Sequence, residues 1–521
     1  MTKRTLAFFG LLAFVAALVV PISAAPAYAD VSIDGAGSTW SQIALTQWAS
    51  DVARQGLAVN YQGVGSTSGR VFYYQNQIDF AASEIPFTPA YRDATGSVIT
   101  NEVALAEHRP YAYMPDVAGG TSFMYHLTIN GQLITSLRLT PTELANIFTG
   151  VTTNWNDPAI AKDNPQLHLP NLTIRPIVRS DGSGTTAQFT AFMASQTPAI
   201  WNAFCQKVGL NVTPCPSVSL WPDINAVAQQ YSDGVADYVA APYNNGAITY
   251  VEYGYAKQRS FPVASVLNKA GYFTQPTPQA VALALKTATL NSDLTQNLGG
   301  VYTSPDPNAY PVSSYSYLIV PTTTAKPFST AKGITLSKFI LYMVCAGQQK
   351  AAQLGYSPLP QNLVQDAFNV VQKIPGHVNP PPINQCDNPT ITHAFNAGST
   401  APPPPSDKQG ATPPSATTPV TAAPTGNQVQ TGLVTPVTAA TTSATKTGKG
   451  KKALGVVAAS QSGLDGGTAQ QALVASTGPV TPPSPRDPLP LLLYVVAAIV
   501  AIVAIFGPPA LAMYLRKPDS P

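Results

Sequence analysis

Three times this chain interrupts a short apolar run with glycine and serine or threonine, then resumes with apolar residues at helical spacing. The first is Gly35-Ala36-Gly37-Ser38-Thr39, ahead of Trp40, Ile43, Ala44, Trp48 and Val52. The second is Gly65-Ser66-Thr67-Ser68-Gly69, ahead of Arg70-Val71-Phe72-Tyr73. The third is Asp181-Gly182-Ser183-Gly184-Thr185, ahead of Phe189, Phe192 and Met193. Recurrence every three to four residues predicts a helix after each break, with Ser38 or Thr39 as the first N-cap. Residues 57–61, 78–82 and 172–178 read as strands, the last weakened by Pro176. Strands alternating with helices predict an α/β fold, and no solenoid or propeller repeat is visible.

The three breaks share one chemistry. A helix N-terminus leaves backbone N–H groups unpaired and carries partial positive charge. Glycine lets that backbone approach a ligand, and Ser or Thr hydroxyls add donors. Taken singly, each break is an ordinary cap. Converging, they bind a tetrahedral oxyanion. Arg179 stands at a strand's C-terminal end, where α/β folds place ligand contacts, and its planar fork suits an oxyanion. Asp181 is placed to pin that guanidinium; the plainer reading is a surface ion pair. Glu84 ends the strand 78–82 and is anomalous, because a carboxylate repels an anion. It fits an anion that carries a proton: monohydrogen phosphate does, and sulfate at neutral pH does not.

The ends of the chain read differently. Lys3 and Arg4 precede the apolar run 6–20, and Ala27-Tyr28-Ala29 follows, predicting a signal peptide over 1–29 cleaved after Ala29. Residues 489–515 are apolar and followed by Arg516 and Lys517, predicting a single spanning helix with 516–521 as a cytoplasmic tail. Between them, 396–488 is rich in Pro, Thr and Ala, a composition that predicts a disordered tether. The expected protein is therefore held at the cell membrane by its C-terminal helix, with an extracellular binding domain over 30–395. At +3 the formal charge gives no reason to expect nucleic acid.

Four cysteines in an exported domain predict two disulfides. Three pairings exist, and the local one, Cys205–Cys215 with Cys345–Cys386, is expected. The five histidines do not cluster and no CxxC occurs, so neither a metal nor a cofactor is expected. No Gly-x-Ser-x-Gly or His-Glu-x-x-His supports catalysis.

The residues from 34 to about 372 resemble the phosphate-binding subunit of bacterial phosphate ABC importers. The matching words are the first and third breaks together with Val59-Asn60-Tyr61-Gln62-Gly63-Val64-Gly65-Ser66, Asp79-Phe80-Ala81-Ala82-Ser83-Glu84 and Tyr250-Val251-Glu252-Tyr253-Gly254-Tyr255-Ala256. That resemblance implies a two-lobed periplasmic-binding-protein fold (type II, a Venus flytrap), with one lobe over 30–115 plus 312–395 and the other over 116–311. It implies a monomer that captures inorganic phosphate without chemistry and passes it to an ABC permease. Thr39, Trp40, Ser66, Ser183, Gly184 and Thr185 would donate to the ligand, Ser38 would belong to the first terminus, Arg179 would supply charge, and Asp181 would orient it. Glu84 takes the place of the family's usual Asp, and Trp40 that of a smaller aromatic. An exported phosphatase-like hydrolase and a surface phosphate sensor or adhesin are the alternatives on the same scaffold.

Overall fold

The computed structural model describes residues 30–396, apart from 90, 93–97, 211 and 224, together with 403–411. All lie in one unit, Met1–Thr421. The elements that build the site are β1 (Ile33–Gly37), α1 (Gln42–Ala53), β2 (Val59–Gly63), α2 (Ser66–Tyr74), β3 (Phe80–Ser83), β4 (Tyr111–Tyr125), β5 (Arg175–Arg179), α3 (Gly184–Gln196), β6 (Val227–Gln229), α4 (Tyr231–Ala240), β7 (Ala247–Glu252) and β8 (Ser313–Pro321).

These strands form one eight-stranded sheet in the order β6-β5-β7-β4-β8-β3-β1-β2. At one end β2, β1 and β3 are parallel, with Gly37 opposite Gly63 and Ala82. At the other end β6, β5 and β7 are parallel, with Arg179 opposite Gln229. Two long antiparallel strands, β4 and β8, join the halves, running from Ser313 opposite Gly120 to Pro321 opposite Tyr111. Their register shifts between Tyr315 and Tyr317, a bulge at the middle of the crossing. The result is a two-lobed α/β fold with helices against each parallel half.

Periodicity explains the packing. In α1, Ala44, Leu45, Trp48 and Val52 are all buried, and Trp48 Nε1 donates to Gly347 O at 2.8 Å. Fully burying a side chain such as Val52 contributes on the order of 2 kcal/mol. Strands β4 and β8 are buried along almost their whole length, so their polar and apolar residues show no inside–outside alternation.

Cys205 is bonded to Cys215, and Cys345 to Cys386. The second bridge closes 41 residues, for which loop entropy gives about 4 kcal/mol. Replacing both of its cysteines with alanine is expected to lower urea-unfolding stability by about that amount, and more than removing the shorter bridge does. Equal losses for the two bridges would contradict the loop-length argument.

One expectation for the C-terminal part is corrected. Among the described residues no helix is long and apolar enough to cross a membrane. The longest, Thr330–Val344, has 15 residues, or about 22 Å, against roughly 30 Å of hydrocarbon. The described residues thus supply no transmembrane helix where a C-terminal anchor, the membrane as partner and a single-pass location were expected. The expected helix at 489–515, the tail and the signal peptide 1–29 lie outside the described residues. Of the stretch expected to be a disordered tether, residues 403–411 are described and contact the residues before them. Arg138 Nη2 donates to Ser406 O at 2.6 Å and pairs with Asp407 at 3.1 Å, while Gln409 N donates to Gly271 O. A nearly buried guanidinium needs such acceptors, and composition alone does not reveal them. The rest of the tether lies outside the described residues.

Candidate functional site

All three Gly-Ser/Thr breaks meet where the two halves of the sheet face each other. The chain leaves β1 at Gly37, and Ser38 N donates to Ala82 O at 2.8 Å. Helix α1 starts later than expected, with Ser41 at the cap and no side-chain capping bond. The reason is that Ser38 Oγ accepts from Ser41 N at 3.1 Å and donates to Glu84 Oε1, so its hydroxyl serves the pocket. Helix α2 begins at Ser66 itself, behind Gly65 at φ 86°, a conformation glycine adopts freely. Helix α3 begins at Gly184, and Ser183 Oγ accepts from Thr186 N at 3.2 Å.

Glu84 sits at the centre of this arrangement, almost wholly buried. Its Oε1 accepts from Ser38 and from Ser316 Oγ at 2.9 Å, and its Oε2 accepts from Ser66 Oγ at 2.7 Å. Gly184 N donates to Ser66 Oγ at 3.1 Å. The backbone around Glu84 is held from both sides: Gln188 Nε2 donates to Glu84 O at 2.8 Å, and Arg70 Nη1 donates to Ser83 Oγ at 3.1 Å. Arg70 is itself fixed by Glu102 at 3.0 Å.

Arg179 ends β5 and is 2% exposed. Its Nε donates to Asp181 Oδ1 at 2.7 Å, Nη2 donates to Oδ2, and Nη1 donates to Ser232 Oγ at 3.2 Å. Asp181 thus holds the fork in one plane, and it also accepts from Tyr231 N at 2.9 Å. Tyr231 adopts φ 63°, uncommon for a residue other than glycine and of the kind that clusters at functional sites. Tyr250 OH accepts from Arg179 N at 3.2 Å and bonds Thr186 Oγ1 at 2.8 Å. Burial, partly offset by the bond from Arg179, pushes this phenol up to about 12, so it stays neutral.

Contacts tie the two halves together directly. Thr39 Oγ1 bonds Ser232 Oγ at 2.9 Å, and Thr67 N donates to Gly182 O at 3.1 Å. Trp40 is buried, and its carbonyl accepts from Tyr356 OH at 2.6 Å. Thr185 is buried, and its Oγ1 has no hydrogen-bond partner among the described residues, so this hydroxyl retains capacity for a ligand. The sequence-derived residues Ser38, Thr39, Trp40, Ser66, Glu84, Arg179, Asp181, Ser183, Gly184 and Thr185 therefore lie in one neighbourhood.

Two further residues of the site escape the sequence reading. Ser232 opens α4 inside Tyr231-Ser232-Asp233-Gly234, a Ser-Gly break of the kind that marks the other three helices, so the same pattern finds it. Ser316 lies within a buried strand and carries no local signal; only the bulge aims it at Glu84. Among the described residues no group of three or more His, Cys, Asp or Glu is disposed to hold a metal ion.

Residues 23–346 match the family model described as a PBP superfamily domain. The chain is 32% identical over 337 residues to the phosphate-binding protein PstS of Xylella fastidiosa strain Temecula1, covering 64% of this chain and 84% of that protein. It is 33% identical over 339 residues to the phosphate-binding protein PstS of Pasteurella multocida, covering 64% and 88%. It is 28% identical over 352 residues to the phosphate-binding protein PstS3 of Mycobacterium bovis strain BCG, covering 66% and 86%. By these matches the chain belongs to the phosphate-binding proteins of the PBP superfamily.

Proposed function

We propose that this protein captures monohydrogen phosphate between its lobes and delivers it to the ABC permease of a phosphate importer. The observation that carries the reading is Glu84, a buried carboxylate set among Ser38, Ser66 and Gly184. Donors alone fit any oxyanion. A carboxylate among them accepts a proton that phosphate has and sulfate lacks. Arg179, held by Asp181, supplies charge, and Thr39, Trp40, Ser183, Gly184 and Thr185 supply donors from the two helix termini. Two disulfides agree with an oxidising compartment outside the cytoplasm. The lobes are assigned as 30–115 with 312–395, and 116–311, because β4 and β8 carry the crossings.

Calorimetry on the full chain tests this. Phosphate is expected to bind about a hundredfold tighter than sulfate, or better, because sulfate leaves Glu84 facing an anion with no proton between them. Glu84→Gln is expected to narrow that ratio to about tenfold or less. Equal affinities for the two anions in the wild type would remove the role assigned to Glu84.

A further inference from the structure

Behind Glu84 lies a second carboxyl group that the capture of phosphate does not by itself require. Asp116 is on β4, fully buried, opposite the bulge that carries Ser316. Its Oδ1 accepts from Val117 N at 2.7 Å, while Oδ2 has no hydrogen-bond partner among the described residues. Ser316 Oγ, on that bulge, lies 2.9 Å from Glu84 Oε1, to which it donates, and 3.2 Å from Ser41 Oγ. The bulge opposite Asp116 therefore carries a hydroxyl that donates to Glu84.

Two carboxyl groups buried in one dry interior do not both ionise readily. The other groups facing Asp116 do not relieve it. Tyr61 on β2 and Tyr356 interact with it, and burial holds both phenols well above their usual range, so they remain neutral. Gln348 Nε2 reaches only the Asp116 backbone oxygen, at 3.0 Å. Burial first, and then the charge of Glu84, push the Asp116 carboxyl up to about 8. A protonated Asp116 adds no charge behind Glu84, whose Oε1 takes the Ser316 O–H.

We propose that Asp116, Ser316 and Glu84 form a coupled unit in which Asp116 must be protonated while phosphate is held, so that binding in alkaline solution takes up a proton. This rests on phosphate capture at Glu84 and adds to it a determinant of affinity that never touches the ligand. The sign follows from charge. Ionised Asp116 adds negative charge behind Glu84, and a phosphate dianion in front opposes it. Affinity for the dianion is level below the titration of Asp116 and falls above it, approaching about tenfold per pH unit for one linked proton. Phosphate remains a dianion across that interval, so its own ionisation does not produce the fall.

The test is calorimetry of inorganic phosphate with the full chain from about pH 7 to about pH 9.5, in buffers of differing ionisation enthalpy, which counts protons exchanged on binding. Wild type is expected to take up part of one proton near pH 8.5 and to lose affinity above about pH 8. Asp116→Asn is expected to take up none, to match wild type at neutral pH, and to bind about thirtyfold tighter near pH 9.5. Ser316→Ala is expected to lower affinity while flattening the pH profile. A purely packing role for Asp116 leaves the proton count of the variant equal to that of wild type, and that result overturns the proposal. If Asp116→Asn does not fold, wild type alone decides, because binding without proton uptake above pH 8 has the same consequence. Absence of phosphate binding at every pH instead removes the capture reading, and the proposal with it.

Discussion

Arg179→Ala should abolish useful phosphate binding, raising Kd about a thousandfold, with little change in far-UV circular dichroism. The reason is unpaired charge. Arg179 is 2% exposed and is the cation paired with Asp181, whose side chain is itself 8% exposed. Removing it takes a charge-assisted fork from the ligand and strands a buried carboxylate beside an incoming anion. Losing one partner of such a pair costs about 3 to 5 kcal/mol, and each 1.4 kcal/mol is about tenfold in Kd. Arg179→Lys should recover only part of this, because an ammonium group cannot match both Asp181 oxygens while facing Ser232. Titration calorimetry reads both variants. Binding within about tenfold of wild type in Arg179→Ala would mean that the helix termini, not the guanidinium, hold the anion.

Gly184→Ala should be nearly as damaging for a different reason. A methyl group there would overlap Glu84 Oε2 and lie 2.7 Å from Ser66 Oγ, contacts no real Cβ makes. The φ of Gly184 is not in the left-handed region, so alanine is tolerated by its own backbone and the conflict is entirely with the opposite lobe. The variant should therefore fold and melt close to wild type yet bind phosphate about a hundredfold more weakly, because overpacking by one carbon costs about 1 to 3 kcal/mol where neighbours are fixed. Small-angle scattering with saturating phosphate should show a larger radius of gyration than wild type. An unchanged radius and affinity would show that Glu84 can step aside.

Both residues are legible from the amino-acid sequence alone, and the reason is local. Arg179, Gly184 and the other helix-terminal residues announce themselves because cap chemistry is written in consecutive letters. The strands are legible with a small offset: 57–61 is observed as Val59–Gly63, and 78–82 as Phe80–Ser83. Pro176 does not prevent β5, whose residues Arg175–Arg179 pair on both sides. Helix α1 starts late because Ser38 is drawn to Glu84, a bond spanning 46 positions that no window could contain. Ser316 and Asp116 are invisible for a related reason. They lie in strands buried on both faces, where polar residues stand among apolar ones without a period, and their meaning depends on a register shift between residues far apart in the chain. The docking of 403–411 through Arg138 is a similar long-range event, separated by 268 positions.

The bulge in the two crossing strands has a consequence for how such a protein can change over generations. The strands that cross between the lobes also carry Ser316 and Asp116, so the crossing and the proposed acceptor site share residues. A substitution selected there for faster release would also alter ion preference and its response to alkalinity. Adaptation of speed would therefore be expected to appear away from this crossing, in the outer contacts such as Thr39 with Ser232, where a bond between lobes can be weakened without touching the acceptor.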